Sequence, residues 1–232
     1  MQNEMRQKID RNKPTIVFFI GESGVGKDYL IRVLSNTRKN TQPIYNMMTR
    51  ALRSGEDERY LTSTTDDIML AMRERDEFVS WSPNEYEKDW KNYITYYGSP
   101  KSQLKSGQIY CGYATRASIE LTPIDESLYN VFRIWLVIPE SERLKRVCNR
   151  VRSDLHDMLY PIYGNKWSPT DEEVKQKACE FIASRRWFDK GIQALLLDKE
   201  FCKKHNIFLI DNTLDLNIRI KILEQHIWLE TT

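Results

Sequence analysis

The sequence TIVFFIGESGVGKD, at residues 15–28, decides the fold of this chain. Its first six residues, Thr15–Ile20, are apolar or β-branched and predict a buried strand. The glycines that follow predict a tight turn, and the amphipathic residues after Lys27 predict a helix. In this context, backbone N–H groups of the turn and the positive end of the helix hold a phosphate. The stretch therefore predicts a phosphate-binding loop, or P-loop; the alternative is a plain strand-to-helix turn with a spare lysine.

The residues of this loop have expected roles in binding ATP. Lys27 would reach the β- and γ-phosphates as a mobile positive charge, and we expect it to be catalytic. The usual pattern has Ser or Thr after the lysine to hold Mg²⁺, whereas this chain has Asp28. Because a carboxylate can hold Mg²⁺ directly or through water, we expect Asp28 to help bind the metal and activity to require Mg²⁺. The residues expected to contact the ATP phosphates are Glu22, Ser23, Gly24, Val25, Gly26, Lys27 and Asp28.

The composition is that of an ordinary globular protein. The chain has 232 residues, of which 41% are hydrophobic and 29% are charged. Its 35 Lys and Arg and 33 Asp and Glu give a net charge of +2, which supports neither a nucleic-acid partner nor a membrane partner. No apolar segment reaches membrane-spanning length. The four cysteines lack the spacing of a metal or redox site, so we expect free thiols and a cytoplasmic location.

The order of the predicted elements indicates an α/β fold. Strands alternate with helices, which predicts a parallel sheet with helices on both faces. A nucleotide would bind at the carboxyl ends of the strands. We predict strands near 15–20, 43–48, 77–81, 108–113, 130–138 and 206–210. We predict helices near 27–36, 65–75, 140–152, 170–190 and 216–228, and a turn at 96–100 that leads into a helix through Leu104.

The chain is expected to form a single domain with two functional subregions. Two segments that interrupt the pattern, 82–95 and 154–169, look inserted, and we expect the second to be irregular. The expected divisions are a flexible leader at 1–14, one P-loop domain at 15–232, an acceptor-binding region at about 43–115, and a lid with an insertion at about 143–170.

Other residues suit the binding of an anionic acceptor. A kinase must hold ATP, hold its acceptor and neutralise charge on the transferring phosphoryl group. Arg50 and Arg53, three apart in a glycine-containing loop, can grip an acceptor phosphate in bidentate fashion. Tyr60 and Tyr97 can donate their hydroxyls to the same phosphate. The alternative for the two arginines is a solvated surface turn.

A predicted helix carries four further arginines, Arg143, Arg146, Arg150 and Arg152. Four arginines over ten residues of a helix cannot all face one site, so some of them face solvent. We expect a catalytic lid arginine among Arg146, Arg150 and Arg152, with Arg185 as a further candidate.

These motifs resemble those of guanylate kinases. The sequence TRALRSGE at 49–56, followed by Tyr60, resembles their acceptor-phosphate loop, and YYGS at 96–99 resembles a later part of the same site. IPES at 138–141, before an arginine-rich helix, resembles their approach to the lid. The order and spacing fit over 15–152 and again over 170–210. The resemblance implies a P-loop kinase whose core, acceptor-binding and lid parts close around ATP and a monophosphate.

This sequence departs from that of guanylate kinases at two places, and both differences argue against GMP as the preferred acceptor. Guanylate kinases place a Glu in a Phe-x-Glu-Trp strand to read guanine, and here FVSW at 78–81 has Ser80 in its place. They also carry an acidic strand end, and here residues 109–116 read IYCGYATR. Without those acceptors, each guanine N–H buried unpaired would cost about 1–3 kcal/mol. The resemblance implies another nucleoside or deoxynucleoside monophosphate, with Ser80 and Ser99 near its base or sugar. The expected acceptor-binding residues are Arg50, Arg53, Tyr60, Ser80, Tyr97, Ser99 and Arg116.

Two other kinase families share some motifs. Ribose 1,5-bisphosphate phosphokinases resemble this chain in GKD at 26–28, in SW at 80–81 before a later Tyr-Tyr-Gly, and in GYATRA at 112–117. The GKD motif also resembles the P-loop of some phage deoxynucleoside monophosphate kinases. Aromatic residues within 82–95 can stack on a base, which a ribose phosphate does not need, or can simply pack the insertion.

A different class of function is a non-catalytic binding module, because guanylate kinase-like domains also serve in protein recognition. The intact glycines and Lys27 argue against this alternative. A kinase of DNA or RNA ends is a further alternative, which the near-neutral charge does not support.

Overall fold

The structure is a computed structural model that describes residues 9–21, 24–52, 58, 60–88, 91–163, 168–180 and 199–228. The strands are β1 (Thr15–Ile20), β2 (Thr41–Pro43), β3 (Asn46–Met48), β4 (Leu61–Ser63), β5 (Phe78–Lys88), β6 (Lys91–Pro100), β7 (Ile109–Tyr113), β8 (Asn130–Val137) and β9 (Ile207–Asp211). The helices are α1 (Lys27–Thr37), α2 (Asp66–Glu74), α3 (Arg116–Leu121), α4 (Glu140–Tyr163), α5 (171–180), α6 (Lys199–Lys204) and α7 (Leu216–Leu223). A 3₁₀ turn at Lys101–Gln103 follows β6, and a π-helical turn at Glu224–Trp228 follows α7.

A parallel sheet forms the centre of the fold, with the strand order β2-β7-β1-β8-β9. Every residue of β1 is buried, because its side chains alternate between two apolar clusters. Ile16 and Phe18 pack on the face that α3 and α6 cover, while Val17 and Phe19 pack on the face that α1 and α7 cover. The prediction of a parallel sheet with helices on both faces is therefore confirmed.

The other four strands form a second sheet, in the order β4-β3-β6-β5. β3 pairs in parallel with β4 and antiparallel with β6, and β6 pairs antiparallel with β5. One face of this sheet packs against α2 through a small apolar cluster that includes Met47, Met69, Phe78 and Trp81. Of the acceptor-binding residues predicted from the sequence, Ser80, Tyr97 and Ser99 lie on strands of this second sheet.

The second sheet adjoins the first sheet on the side where the carboxyl end of β1 lies. The chain leaves the carboxyl end of β2 and enters β3 after only Ile44 and Tyr45. The N–H of Ile44 still donates to the carbonyl of Cys111 in β7, at 2.8 Å. Thr122, just after α3, bonds to the backbone of Trp81 in β5, at 3.0 Å and 3.2 Å. Since parallel strands end at a common edge, the P-loop and the second sheet lie at the same side of the central sheet.

The structure corrects several element bounds near the second sheet. The predicted strand at 43–48 is divided between β2 and β3, which belong to different sheets. The turn predicted at 96–100 is wrong, because β6 extends to Pro100. The helix predicted to follow it, through Leu104, is a 3₁₀ turn at Lys101–Gln103. Tyr96 stacks on Trp81 with 5.6 Å between ring centroids, and such cross-strand aromatic pairs favour a strand. β5 and β6 also extend through most of the segment 82–95, of which residues 89–90 lie outside the described ranges.

The irregular segment predicted at 154–169 is wrong over its first part, since α4 continues to Tyr163. Val147 and Val151 are four residues apart and pack with Val174 and Ala178 of α5, so the apolar spacing of a helix continues along α4. Residues 164–167 and 181–198 lie outside the described ranges, and the second gap contains the end of the helix predicted at 170–190. None of the helices within the described ranges is long and apolar enough to cross a membrane.

Candidate active site

The P-loop lies between β1 and α1, at the carboxyl end of the central strand. Gly24 and Gly26 have φ angles of 88° and 94°, in the left-handed region that favours glycine. A Cβ atom at Gly24 would also stand only 3.0 Å from Cγ2 of Val147 in α4. The loop therefore requires glycine both for its turn and for its close contact with α4. Glu22 and Ser23 lie outside the described residues.

Lys27 is the first residue of α1, and its Nζ donates a hydrogen bond to the carbonyl oxygen of Gly21 at 2.7 Å. The ammonium group therefore lies across the loop, between the end of β1 and the start of α1. A phosphate in this position would offer an anionic acceptor, which pairs with an ammonium more strongly than a neutral carbonyl does. Asp28 lies beside it in the first turn of α1, and its side chain is exposed.

α4 brings one of the predicted lid arginines to the P-loop. Arg146 donates from Nη1 to the carbonyl oxygen of Val25 at 3.4 Å, and from Nε to Glu142 at 3.0 Å. The guanidinium group therefore contacts the backbone of the loop itself. A fixed positive charge at this place can stabilise negative charge that develops on a transferring phosphoryl group.

The other predicted arginines of α4 have different surroundings. Arg150 is exposed one helical turn beyond Arg146, and Arg152 forms an ion pair with Asp171 of α5. Arg143 is buried and donates from Nε and Nη2 to Glu140, at 2.7 Å and 2.6 Å. Arg185 lies outside the described residues. Among the predicted lid arginines, Arg146 forms a hydrogen bond to the described part of the P-loop.

Sequence reasoning missed Asn212, which contacts the P-loop, and Arg219, which contacts Asn212. Asn212 follows β9 and is 2% exposed, and its Nδ2 donates to the same Val25 carbonyl that Arg146 contacts. Arg219, in α7, donates from Nη1 to Oδ1 of Asn212. Burial and the positive charge of Arg146 lower the pKa of the Arg219 guanidinium from its usual value. The available signal was a polar residue directly after the last parallel strand, where ligands bind in open α/β sheets.

The second sheet presents a polar face opposite the face that packs on α2. Ser80 lies directly across from Ser99, and Ser82 lies across from Tyr97. Because directly paired residues point to one side of a sheet, these four side chains share a face. Trp81, between Ser80 and Ser82, points to the other side and packs with Met69 of α2. We call the set Asn46, Ser80, Ser82, Tyr97 and Ser99 the polar face.

The structure brings two predicted acceptor-binding residues into contact on this polar face. Arg50 donates from Nε to the hydroxyl of Tyr97 at 2.8 Å and from Nη1 to the carbonyl of Ala51 at 2.8 Å. Its guanidinium also lies 5.7 Å from the centroid of the Tyr97 ring. The arginine is therefore held in a fixed position beside a hydroxyl donor, which is a suitable arrangement for binding a phosphate.

Ser99 lies deeper in the polar face and forms a buried pair with Asn46, which sequence reasoning missed. Its Oγ donates to Oδ1 of Asn46 at 2.6 Å, and Nδ2 of Asn46 donates to the carbonyl of Ile44 at 3.1 Å. Ser80, across from Ser99, is 9% exposed. Within the described part of the chain, the Ser80 hydroxyl makes no hydrogen bond, so it can pair with a bound ligand or water.

The remaining predicted acceptor-binding residues are Tyr60, Arg116 and Arg53, and the structure describes contacts for the first two. The carbonyl of Tyr60 accepts a hydrogen bond from the N–H of Asn46 at 2.8 Å, so Tyr60 lies beside β3. Arg116, the first residue of α3, donates to Glu120 at 2.9 Å and lies 4.8 Å from the ring centroid of Phe201. Arg53 lies outside the described residues.

The residues around the P-loop fit the binding of Mg²⁺ together with a nucleotide. Among the residues that the structure describes, no three His, Cys, Asp or Glu side chains are grouped to hold a metal ion by themselves. Mg²⁺ in phosphate-binding sites usually takes one or two carboxylates and fills its other positions with phosphate oxygens and waters. The exposed carboxylate of Asp28, one residue after Lys27, can supply such a ligand.

The solved structures similar to this chain include the following two, and the likeness is weak in both. Guanylate kinase from Anaplasma phagocytophilum is 16% identical with a TM-score of 0.38, over 75% of this chain and 86% of that chain. A possible uridine kinase from Bacillus stearothermophilus is 15% identical with a TM-score of 0.25, over 66% of this chain and 87% of that chain. Comparison of the sequence with protein-family models and with curated proteins finds no match. The assignment of the α/β fold therefore rests on the strand order and the P-loop.

Proposed function

We propose that this protein is an ATP- and Mg²⁺-dependent kinase that transfers the γ-phosphoryl group to a small phosphorylated acceptor. The observation that carries the proposal is the geometry of the P-loop. Gly24 and Gly26 adopt left-handed backbone angles, and the Nζ of Lys27 lies across the loop at 2.7 Å from the carbonyl of Gly21. This loop follows the central strand of a parallel sheet, where nucleotides bind.

The residues at the P-loop would act by positioning and by neutralising charge. Backbone N–H groups of the loop and the start of α1 would hold the phosphates, and Lys27 would exchange the Gly21 carbonyl for a phosphate oxygen. Asp28 would help hold Mg²⁺, which screens the phosphate charges. Arg146 would stabilise the transferring phosphoryl group, with Arg150 and Arg152 as the other lid candidates. This mechanism requires no covalent intermediate on the enzyme.

The polar face of the second sheet would hold the acceptor. Arg50 and Tyr97 would bind its phosphate, with Arg53, Tyr60 and Arg116 as further candidates. Ser80, Ser99 and Asn46 would then face its base or sugar with groups that both donate and accept hydrogen bonds. Because the position expected to read guanine carries a serine, the acceptor is a nucleoside or deoxynucleoside monophosphate other than GMP.

An ATP-consumption assay tests this proposal. The purified protein is incubated with ATP, Mg²⁺ and, one at a time, the common ribo- and deoxynucleoside monophosphates and ribose 1,5-bisphosphate. We expect turnover with at least one nucleotide and little with GMP. Turnover with the sugar bisphosphate alone would establish a sugar phosphate kinase instead. No turnover and no ATP binding would favour a non-catalytic binding module.

The role of Asp28 has its own test in the same assay. We expect Asp28→Ala to need a higher Mg²⁺ concentration for half-maximal rate, because one potential metal ligand is lost. Full activity of Asp28→Ala at low Mg²⁺ would show that this carboxylate does not serve the metal. Asp67→Ala, an exposed carboxylate in the first turn of α2, is the matched control and should leave the Mg²⁺ dependence unchanged.

A further inference from the structure

The peptide bond between Val25 and Gly26 is held from one side by side chains of two distant elements. The Val25 carbonyl accepts from Nδ2 of Asn212 and from Nη1 of Arg146. In a trans peptide the N–H points away from the carbonyl, so the Gly26 N–H points away from Asn212 and Arg146. Fixing the carbonyl therefore also fixes the direction of one backbone donor of the P-loop.

The side chain of Asn212 can hold this carbonyl in only one of its two amide orientations. An amide has a donor end and an acceptor end, and the Val25 oxygen must face the donor end. Arg219 carries only donors, so it must face the acceptor end, and its Nη1 indeed donates to Oδ1 of Asn212. The backbone N–H of Asn212 is separately fixed by the carbonyl of Val137 at 2.8 Å.

The packing leaves little room for another arrangement. Asn212 is 2% exposed, and a Cβ atom at Gly26 would lie 3.1 Å from its Nδ2. Turning the amide would bring Oδ1 against the Val25 oxygen and Nδ2 against the Arg219 guanidinium. Two acceptors would then face each other, as would two donors, in a buried place where unmade hydrogen bonds are costly.

We propose that Arg219 is a positioning residue for the P-loop: through the Asn212 amide it holds the Val25–Gly26 peptide in the orientation that binds phosphate. This inference rests on the proposed function, because the phosphate in question belongs to ATP. The closing helix α7 thereby acts on a loop that lies nearly two hundred residues earlier in the chain.

Isothermal titration calorimetry with ATP and Mg²⁺ tests the inference in a double-mutant cycle. Arg219→Met keeps an unbranched apolar stem but removes the guanidinium donors, and we expect it to weaken ATP binding about tenfold, which corresponds to one buried hydrogen bond. Arg219→Lys retains donors and should stay closer to wild type. Lys221→Met removes the same charge from an exposed position of α7 and should bind ATP like wild type.

The Asn212→Ala background separates positioning from a direct charge effect. If Arg219 acts through Asn212, adding Arg219→Met to Asn212→Ala changes the affinity less than about twofold. An equal loss in both backgrounds would overturn the inference, because it would mean that Arg219 acts on ATP by its charge alone. Wild-type affinity in Arg219→Met would overturn it as well.

A second variant keeps the test decisive if Arg219→Met does not fold. Asn212→Asp retains an acceptor for Arg219 but has no donor for Val25, so we expect it to weaken ATP binding at least as much. Wild-type affinity in Asn212→Asp would contradict the inference. If the wild-type protein binds no ATP, the kinase proposal fails and the inference fails with it. If the wild-type protein binds ATP and the variants bind it equally well, the inference fails but the kinase proposal stands.

Discussion

At the scale of single residues, the polar face depends on the hydrogen bond from Ser99 to Asn46. Both side chains are buried, and the two oxygens lie 2.6 Å apart. Ser99→Ala would leave the Asn46 oxygen without its donor, which costs about 1–3 kcal/mol in a buried place. We expect a corresponding decrease in the free energy of unfolding in urea and a higher KM for the acceptor. Ser102→Ala, at an exposed position, is the control, and equal urea midpoints for the two variants would contradict this role.

The cysteines differ in burial and should therefore differ in reactivity. Cys111 lies in β7 beside the strand that leads to the P-loop, and burial raises the pKa of its thiol to about 12. Since the thiolate is the reactive form, Cys111 should remain unmodified in the native protein at pH 8. Cys179 is exposed and should react first with a thiol reagent. Mass spectrometry of peptides after limited alkylation distinguishes the two, and early labelling of Cys111 would show that β7 is accessible.

The sequence predicts the turn after β1 from residues that are neighbours in the chain. Lys27 and the two glycines before it form a local pattern, and their backbone angles and contacts agree with it. The sequence did not predict the role of Asn212, because its hydrogen-bond partner, the Val25 carbonyl, is 187 positions away in the chain. Asn46 was missed for the same reason, since its hydrogen-bond partner, Ser99, is 53 positions away. Long-range hydrogen bonds of this kind leave no periodic signal.

At the scale of elements, β6 is fixed by its close contact with β5. A Cβ atom at Gly98 would lie 2.6–2.9 Å from three carbons of the Phe78 ring. Gly98→Ala should therefore destabilise the second sheet by about 1–3 kcal/mol through overpacking. We expect lower thermal stability and a higher KM for the acceptor, because Tyr97 and Ser99 flank the substituted position.

A compensating substitution distinguishes overpacking from other effects of Gly98→Ala. Phe78→Leu removes ring atoms from the crowded position, so the double variant should recover part of the stability that Gly98→Ala loses. Strictly additive losses in the two single variants would show that the Phe78 ring is not the cause.

The elements that sequence patterns predicted well are those with a clear apolar pattern. β1 agrees with prediction because a short, continuous apolar run predicts a strand that is buried on both faces. α1 agrees because its buried residues, Leu30, Ile31 and Leu34, recur at helical spacing. The end of α4 was missed because polar and aromatic residues around 154–163 obscure the spacing that Val147 and Val151 begin. β6 was missed because a Gly-Ser-Pro sequence reads as a turn, whereas pairing with β5 holds it as a strand.

At the scale of the whole molecule, the P-loop connects the central sheet to α4 and α7. A ligand bound to the loop should therefore stabilise the folded protein as a unit. ATP with Mg²⁺ at one hundred times its dissociation constant would add about 2.7 kcal/mol to the free energy of unfolding. For a domain of this size, that corresponds to an increase in Tm of roughly 5–10 °C. Differential scanning fluorimetry measures the shift, and Lys27→Ala, which should fold but bind ATP poorly, is the control.

The proposed reaction is the transfer of the γ-phosphoryl group of ATP, bound at the P-loop, to a phosphorylated acceptor. Phosphorus-31 NMR follows this reaction directly, in wild type and in Lys27→Ala, with Mg²⁺ and the acceptor that the ATP-consumption assay selects. We expect the γ resonance of ATP to disappear in the wild-type sample while a new diphosphate resonance appears on the acceptor, with Lys27→Ala folded and inactive. An unchanged γ resonance with every acceptor, or transfer by Lys27→Ala at the wild-type rate, would contradict the claim.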